Sequence, residues 1–381
     1  MTFKERQLIC LGNPYDINAA SGTPYYILKY GMKIGLISKG IVFKLPKNKL
    51  GKYLWNLKQF IKTTKYGGYQ YTGAFIKKIE DKITSNKIKS EPQYILSHHP
   101  SIPAYPWPKN FFVDFYIDAT NKQIFNSYGT GAKIDKKFQE KIIMREKNAY
   151  ESAGIIFCMC QWAADSVIND YGINPAKVHV VVGGPNIDES LIKKEEPLSC
   201  PKEPNNANPL IIGFLGKDWE RKGGKFTFEI VKNLNSLGIW TILRVIGSRK
   251  KDIPNSPFLE YLGYIDKNKD SKKFLRELNS WHFSTLFSSQ EASPRSNLES
   301  LRLGVPILSH NIGGISSTFI NNYYGKLFSA FPSTHDVSNW IISEIKPYHN
   351  YYQKRLALQN KSGQITWTTE LSKIKNILEN S

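Results

Sequence analysis

Short apolar runs separated by polar, helix-periodic stretches recur along the whole chain. Residues 7–11 (QLICL), 94–97 (YILS), 111–117 (FFVDFYI), 154–158 (GIIFC) and 177–182 (KVHVVV) read as strands. Residues 137–152 and 161–171 carry the helical spacing between them. A second set begins at 210–215 (LIIGFL) and continues with a helix over 226–237. Further apolar runs follow at 240–246, 262–265 and 283–287. Continuous apolar runs bounded by turn residues suit strands covered on both faces, and their alternation with helices predicts parallel sheets. Between the two sets, residues 195–209 hold Pro197, Pro201, Pro204 and Pro209 among Asn, Ser and Lys. That composition predicts a linker, so the chain divides into an N-terminal domain over 1–195 and a C-terminal one over 209–360. A last helix begins near 364–367 and places Leu371, Ile374 and Leu378 on one face.

Composition narrows the classes. With 381 residues, 41% hydrophobic and 22% charged, the chain is long enough for two cores and too apolar for disorder. No apolar run approaches the length of a membrane span, and no basic-plus-apolar leader opens the chain, so a soluble, cytoplasmic protein is expected. Cys10, Cys158, Cys160 and Cys200 are too few and too irregularly spaced for a disulfide framework or a zinc site, and read as reduced, mostly buried thiols. The charge is unusual: 52 basic against 32 acidic residues, a net of +20. Nucleic acid, an anionic membrane face and an anionic substrate all fit such an excess, and no nucleic-acid-binding motif is present.

Residues 44–78 concentrate it. They hold nine lysines and no acid, together with Tyr53, Trp55, Phe60, Tyr66, Tyr69, Tyr71 and Phe75. Leu50, Tyr53, Leu54, Leu57, Phe60 and Ile61 fall on one helical face, with Lys52, Lys58 and Lys62 off it. Two readings stand: a surface helix whose apolar face packs on its domain, or a basic amphipathic element lying on anionic lipid headgroups at the inner face of the membrane.

Candidate chemistry gathers after the 283–287 run. Glu291 and Glu299 stand eight residues apart, the first in the loop leaving a strand, the second in the first turn of a helix that Gly304 ends. Ligand crevices of open parallel sheets lie at such strand ends. Ser296-Asn297-Leu298-Glu299 is also a capping box, so Glu299 reads either as a cap or as a ligand. At another strand-to-helix turn, Gly216-Lys217 to Lys222-Gly223 presents two lysines suited to phosphate, with Arg221 read as solvated. Gly22 and Thr23 come after the first strand, Gly247 closes the 240–246 strand, and Asp118, His98 and His99 stand at strand carboxyl ends. Asp118 reads either as a turn cap or as part of a site.

The Glu-x7-Glu pair, followed by Leu303-Gly-Val-Pro-Ile307 and Asn311-Ile-Gly-Gly-Ile315, resembles the donor-site signature of the retaining GT-B glycosyltransferases of family four, the glycosyl transferases group 1. The Gly22 loop and the basic-x4-Lys-Gly spacing of Lys217 and Lys222 extend the resemblance over most of the chain, although the first of these cations is more often Arg in the family. It implies two facing Rossmann-like domains with parallel sheets, a donor cleft between them, and a C-terminal helix crossing back to the first domain. Glu291 would then bind the donor sugar hydroxyls and Glu299 the nucleotide ribose. The helix start at Ser296, Asn297 and Leu298 would meet the diphosphate together with Lys217, Lys222, Gly22 and Thr23. Gly247 and Tyr264 complete the donor set, and Asp118 lines the acceptor side.

The implied reaction moves a hexosyl group, with retention, from a UDP- or GDP-sugar to an acceptor hydroxyl on a surface polysaccharide or lipid-linked glycan, with neither metal nor cofactor and with no nucleic-acid partner. The rival readings are a sugar-nucleotide epimerase and a basic nucleic-acid-binding protein on the same scaffold.

Overall fold

The two sets of apolar runs build two parallel sheets. The computed structural model describes residues 3–42, 49–84, 91–103, 105–192, 200–319 and 325–381. Its contacts divide the chain into two units, Met1–Gly183 with Trp367–Ser381, and Gly184–Thr366.

In the first unit, β1 (Arg6–Cys10), β2 (Ile37–Gly40), β3 (Gln93–His98), β4 (Phe111–Ile117), β5 (Ile156–Cys158) and β6 (Val178–Val180) form one sheet in the order β2-β1-β3-β4-β5-β6, every pairing parallel. Successive strand residues face opposite sides. Ile9, Ile95, Phe115 and Cys158 therefore join one core, and Leu8, Leu96, Tyr116 and Phe157 the other. Cys10, Cys158 and Cys160 are buried free thiols. Helices α1 (Thr23–Lys33), α2 (Lys49–Thr63), α3 (Gly73–Thr84), α4 (Asn121–Ser127), α5 (Lys136–Ser152) and α6 (Gln161–Asp165) connect the strands. Helix α5 starts where Asp135 accepts from the Phe138 amide, a cap that satisfies an otherwise orphaned donor.

In the second unit, β7 (Leu210–Leu215), β8 (Thr241–Ile246), β9 (Leu259–Gly263), β10 (Phe283–Leu286), β11 (Ile307–His310) and β12 (Gly325–Phe328) form a parallel sheet in the order β12-β11-β10-β7-β8-β9. Helices α7 (Gly224–Ser236), α8 (Ser271–Asn279), α9 (Arg295–Arg302), α10 (Thr334–Ile345) and α11 (Tyr348–Ser362) cover it. At Gly213, in β7, a Cβ would lie 1.8 Å from the Trp281 ring, so only glycine lets that fully buried indole pack against the strand. The final helix, α12 (Trp367–Glu379), belongs to the first unit, where Trp367, Leu371, Ile374 and Leu378 pack among Leu8, Tyr26 and Tyr116.

Three details differ from the sequence reading. Strand β9 ends at Gly263, so Tyr264 and Ile265 come after the strand instead of lying in it. Within the proline-rich stretch, residues 195–199 lie outside the described residues, and the segment from Cys200 onward is anchored in the second unit. Tyr348 donates to the Pro201 carbonyl, and the His282 Nε2 and the Lys202 carbonyl stand 3.0 Å apart.

The third difference concerns α2. Lys44 and Lys47 lie outside the described residues; the helix itself buries none of its side chains. Trp55 holds it in place, donating 3.0 Å to the Gly67 carbonyl and packing its ring 5.2 Å from that of Phe138. At 100° per residue, Trp55 lies on the side opposite the apolar stripe. The stripe therefore faces outward: Leu50 is 68% exposed, Tyr53 64% and Ile61 75%. Of the two readings of this face, its packing onto the domain is not seen among the described residues.

Candidate active site

All strands of the second sheet run parallel, so the turns after β7, β8, β10 and β11 share one edge. Two glycines bring the β7 turn against β10. Gly216 lacks the Cβ that would come 2.3 Å from Lys222 Cδ, so the lysine stem lies across it. Gly223 opens α7 with φ +77, and a Cβ there would meet the Phe287 carbonyl at 2.3 Å. Gly247, at φ +96, takes its place beside them. Its amide donates to the Gly263 carbonyl, while the neighbouring Ser248 hydroxyl donates to that of Gly216.

This closure puts Lys222 on Glu291. One carboxylate oxygen, Oε2, accepts from Lys222 Nζ at 3.2 Å, from Arg221 Nη1 at 3.1 Å and from the Ser288 hydroxyl at 3.2 Å. Arg221, expected as a solvated loop cation, instead bridges Glu291 and the Gln290 carbonyl, 2.7 Å away. The backbone is pinned as well: the Gly314 amide donates to the Glu291 carbonyl at 3.0 Å, and a Cβ at Gly313 would lie 2.0 Å from that oxygen. The Asn311-Ile-Gly-Gly sequence thus needs glycine at 313, because the turn after β11 closes on the backbone of Glu291.

Glu299 is not a cap. Helix α9 begins at Arg295, with Pro294 as N-cap and no side-chain cap, so Glu299 lies in the second turn and does not reach back to Ser296. The Ser296 hydroxyl is buried without a hydrogen-bond partner. Glu299 is 3% exposed, and its Oε1 accepts from Lys267 Nζ at 2.5 Å. Burial pushes its carboxyl above the ordinary range, against the opposing pull of Lys267, Arg295 and Lys222. The helix ends as the sequence indicates: Gly304 has φ +70, its amide donates to the Leu301 carbonyl, and that of Val305 donates to the Ser300 carbonyl, a Schellman pair. Of the remaining first-turn residues, Asn297 ties the helix to Thr318 at 3.1 Å and Leu298 is buried in the core.

Lys217 does not join the Glu291 cluster. It is exposed, and its ammonium lies 5.9 Å from the ring centroid of Tyr264, itself 60% exposed. Lys267 escaped the sequence reading because it stands among four lysines in seven residues, 267–273, with nothing local to distinguish it from its neighbours.

In the first unit, Gly22 caps α1 with φ +88, a Cβ there would lie 2.9 Å from the Ile17 carbonyl, and Thr23 opens the helix buried. Asp118 is exposed just past β4, and its carbonyl accepts from the Cys160 thiol. His98 Nδ1 stands 2.6 Å from the Tyr116 carbonyl, which makes that nitrogen the donor. Below this edge lies Glu146, read from the sequence only as a mid-helix acid. Its carboxylate accepts from the Asn121 amide and from the hydroxyls of Tyr150 and Tyr171. Burial pushes its carboxyl up to about 7.

No family model matches the chain, and no curated protein matches it. Solved structures do. WaaG, a glycosyltransferase involved in lipopolysaccharide biosynthesis, is 11% identical with a TM-score of 0.67, over 98% of this chain and 100% of its own. HepE from Anabaena, solved in complex with UDP and glucose, is 12% identical with a TM-score of 0.66, over 99% and 100%. A glycosyltransferase from Rickettsia africae is 13% identical with a TM-score of 0.63, over 99% of both chains. At these identities the likeness speaks for the fold. The chain has the α/β architecture of the GT-B glycosyltransferases, with a six-stranded parallel sheet in each unit.

Proposed function

We propose that the chain is a nucleotide-sugar-dependent glycosyltransferase of the family-four type. On this reading it transfers a hexosyl group with retention to a hydroxyl of a surface polysaccharide or lipid-linked glycan. The observation that carries this reading is the pair of carboxylates at the carboxyl edge of the second sheet, each held by cations and neither spent on capping. Glu291 takes the sugar hydroxyls and Glu299 the ribose. Ser296, Asn297 and Leu298, at the positive end of α9, receive the diphosphate, and the unpartnered Ser296 hydroxyl is one donor for it. Lys222 neutralises charge on the leaving diphosphate, and Lys217 with Tyr264 and Gly247 borders the same edge. In the first unit, Gly22 and Thr23 serve the donor phosphates and Asp118 the acceptor.

HepE was solved with UDP-glucose, and UDP- and GDP-sugars are the donors to try. A thermal-shift screen with UDP, GDP and their sugars tests the proposal: a specific donor raises the melting temperature in proportion to its mass-action stabilisation. No shift with any of them at millimolar concentration would sink it.

Glu299→Gln is expected to raise the donor KM about tenfold or more, since a charge-assisted grip on two hydroxyls is lost. The melting point should barely move, because the helix loses no cap; a large fall in melting with unchanged KM would return Glu299 to a structural role. With cations and a helix terminus at the diphosphate, EDTA is expected to leave transfer nearly intact. Abolition by EDTA and rescue by Mn²⁺ would overturn that assignment.

The acceptor side points to a surface. No helix among the described residues is long and apolar enough to cross a membrane. The outward apolar stripe of α2, on a helix that also exposes Lys52, Lys58 and Lys62, supports peripheral binding to an anionic leaflet, not to nucleic acid.

A further inference from the structure

Beyond the donor ligands themselves, one group shapes the ribose carboxylate. Lys267 stands in the turn after β9, and three contacts hold its ammonium: Glu299 Oε1 at 2.5 Å, the Asn186 carbonyl at 3.3 Å, and the face of the Phe274 ring, 4.5 Å from its centroid. Its side chain is 25% exposed, whereas that of Glu299 is 4% exposed. The pair therefore consists of a nearly buried carboxylate and a lysine that reaches it from the solvent side. A buried carboxylate without a cation in contact is costly and takes up a proton instead. The other cations whose charge acts on Glu299 are Arg295, on its own helix, and Lys222, in the turn after β7. Both are otherwise engaged, Arg295 with the Gly184 carbonyl and Lys222 with Glu291. Only Lys267 forms an ion pair with Glu299 among the described residues.

We infer that Lys267 is the positioning residue of the donor site, holding Glu299 ionised and aimed so that its remaining lone pairs grip the ribose. A carboxylate offers about four acceptor positions. Lys267 uses one, on Oε1, and Oε2 has no hydrogen-bond partner among the described residues, which leaves room for two vicinal hydroxyls. The lysine touches neither sugar nor phosphate; it acts through Glu299. The inference rests on the proposal that Glu299 binds ribose, and its test separates the two.

The variants are Lys267→Met, which removes the charge and keeps the stem, and Lys267→Gln, which also keeps a donor for the Asn186 carbonyl. Glu299 carbonyl-carbon NMR in the free protein, assigned by the signal lost in Glu299→Gln, reads the carboxyl without any ligand. Both variants are expected to move its titration to higher pH than in the wild type. Donor affinity is read with UDP-glucose and GDP-mannose, whose diphosphates carry no proton that titrates in this range. Either variant is expected to weaken donor binding about tenfold at pH 6, less at pH 8.5, with KM rising and kcat nearly unchanged. Lys267→Arg should restore most of it. An unmoved Glu299 titration, or wild-type affinity with no added pH dependence in a folded variant, would overturn the role of Lys267. A shifted titration in a protein whose wild type binds neither nucleotide sugar would instead remove the ribose assignment, and the positioning role with it.

Discussion

Glu291→Ala is expected to cut turnover by about 10²-fold or more, a loss of a few kcal/mol of transition-state binding, while the protein stays folded. The fold should survive because Glu291 sits in the turn after β10 and its backbone carbonyl, not its side chain, receives the Gly314 amide. The catalytic loss should be large because the carboxylate organises its surroundings. Arg221 and Lys222 both converge on Oε2, and the Ser288 hydroxyl completes the same oxygen. Removing the carboxylate frees two cations to pair elsewhere and takes away the group proposed to hold the sugar. Glu291→Gln is the sharper comparison: it keeps the size and part of the hydrogen bonding and removes the charge, so it should fall between wild type and alanine. Steady-state transfer with a matched melting curve is the measurement. Wild-type turnover in well-folded Glu291→Ala would remove Glu291 from the site.

The second large effect concerns α2. Changing Lys52, Lys58, Lys62 and Lys65 to Glu is expected to abolish sedimentation with anionic vesicles while sparing slow hydrolysis of the sugar nucleotide. All four side chains are exposed, and none of the ion pairs found among the described residues involves them, so the fold should tolerate the change. Each lysine near an anionic leaflet contributes up to about 1 kcal/mol, so several acting together suffice for reversible binding. The wild type should sediment with anionic vesicles, weakly with neutral ones, and be released by high salt. The apolar stripe separates lipid from nucleic acid. Leu50, Leu54 and Ile61 are at least half exposed and have no part in a phosphate-backbone contact. Equal vesicle binding by the wild type and the quadruple variant would leave α2 a solvated face.

Much of the architecture is legible in the residues alone. A strand covered on both faces is apolar along most of its length, so 111–117 and 210–215 stand out and become β4 and β7 with those bounds. Strands at the sheet edges are less covered, and the short β2 and β12 have no such run. Helix α9 shows why local pattern misleads: Ser296 and Glu299 have capping-box spacing, but the chain starts the helix two residues earlier, which moves both into its body. A capping motif states which bonds are available; the surrounding packing selects the first helical residue.

What the sequence determined by itself is what depends on neighbours along the chain. That covers the strand and helix periods, the Gly304 terminus, the glycines around 216–223, and the Glu291–Glu299 spacing on a strand-to-helix turn. Tertiary structure decided which partners meet across tens of residues. It placed Arg221 and Lys222 on Glu291, chose Lys267 from a run of like lysines as the partner of Glu299, and buried Glu146 beneath the β4 edge. It also turned the apolar side of α2 outward, because Trp55 on the opposite side found the Gly67 carbonyl and the Phe138 ring. Periodicity marks which face of a helix is apolar; which face the domain covers depends on contacts that only the folded chain brings together.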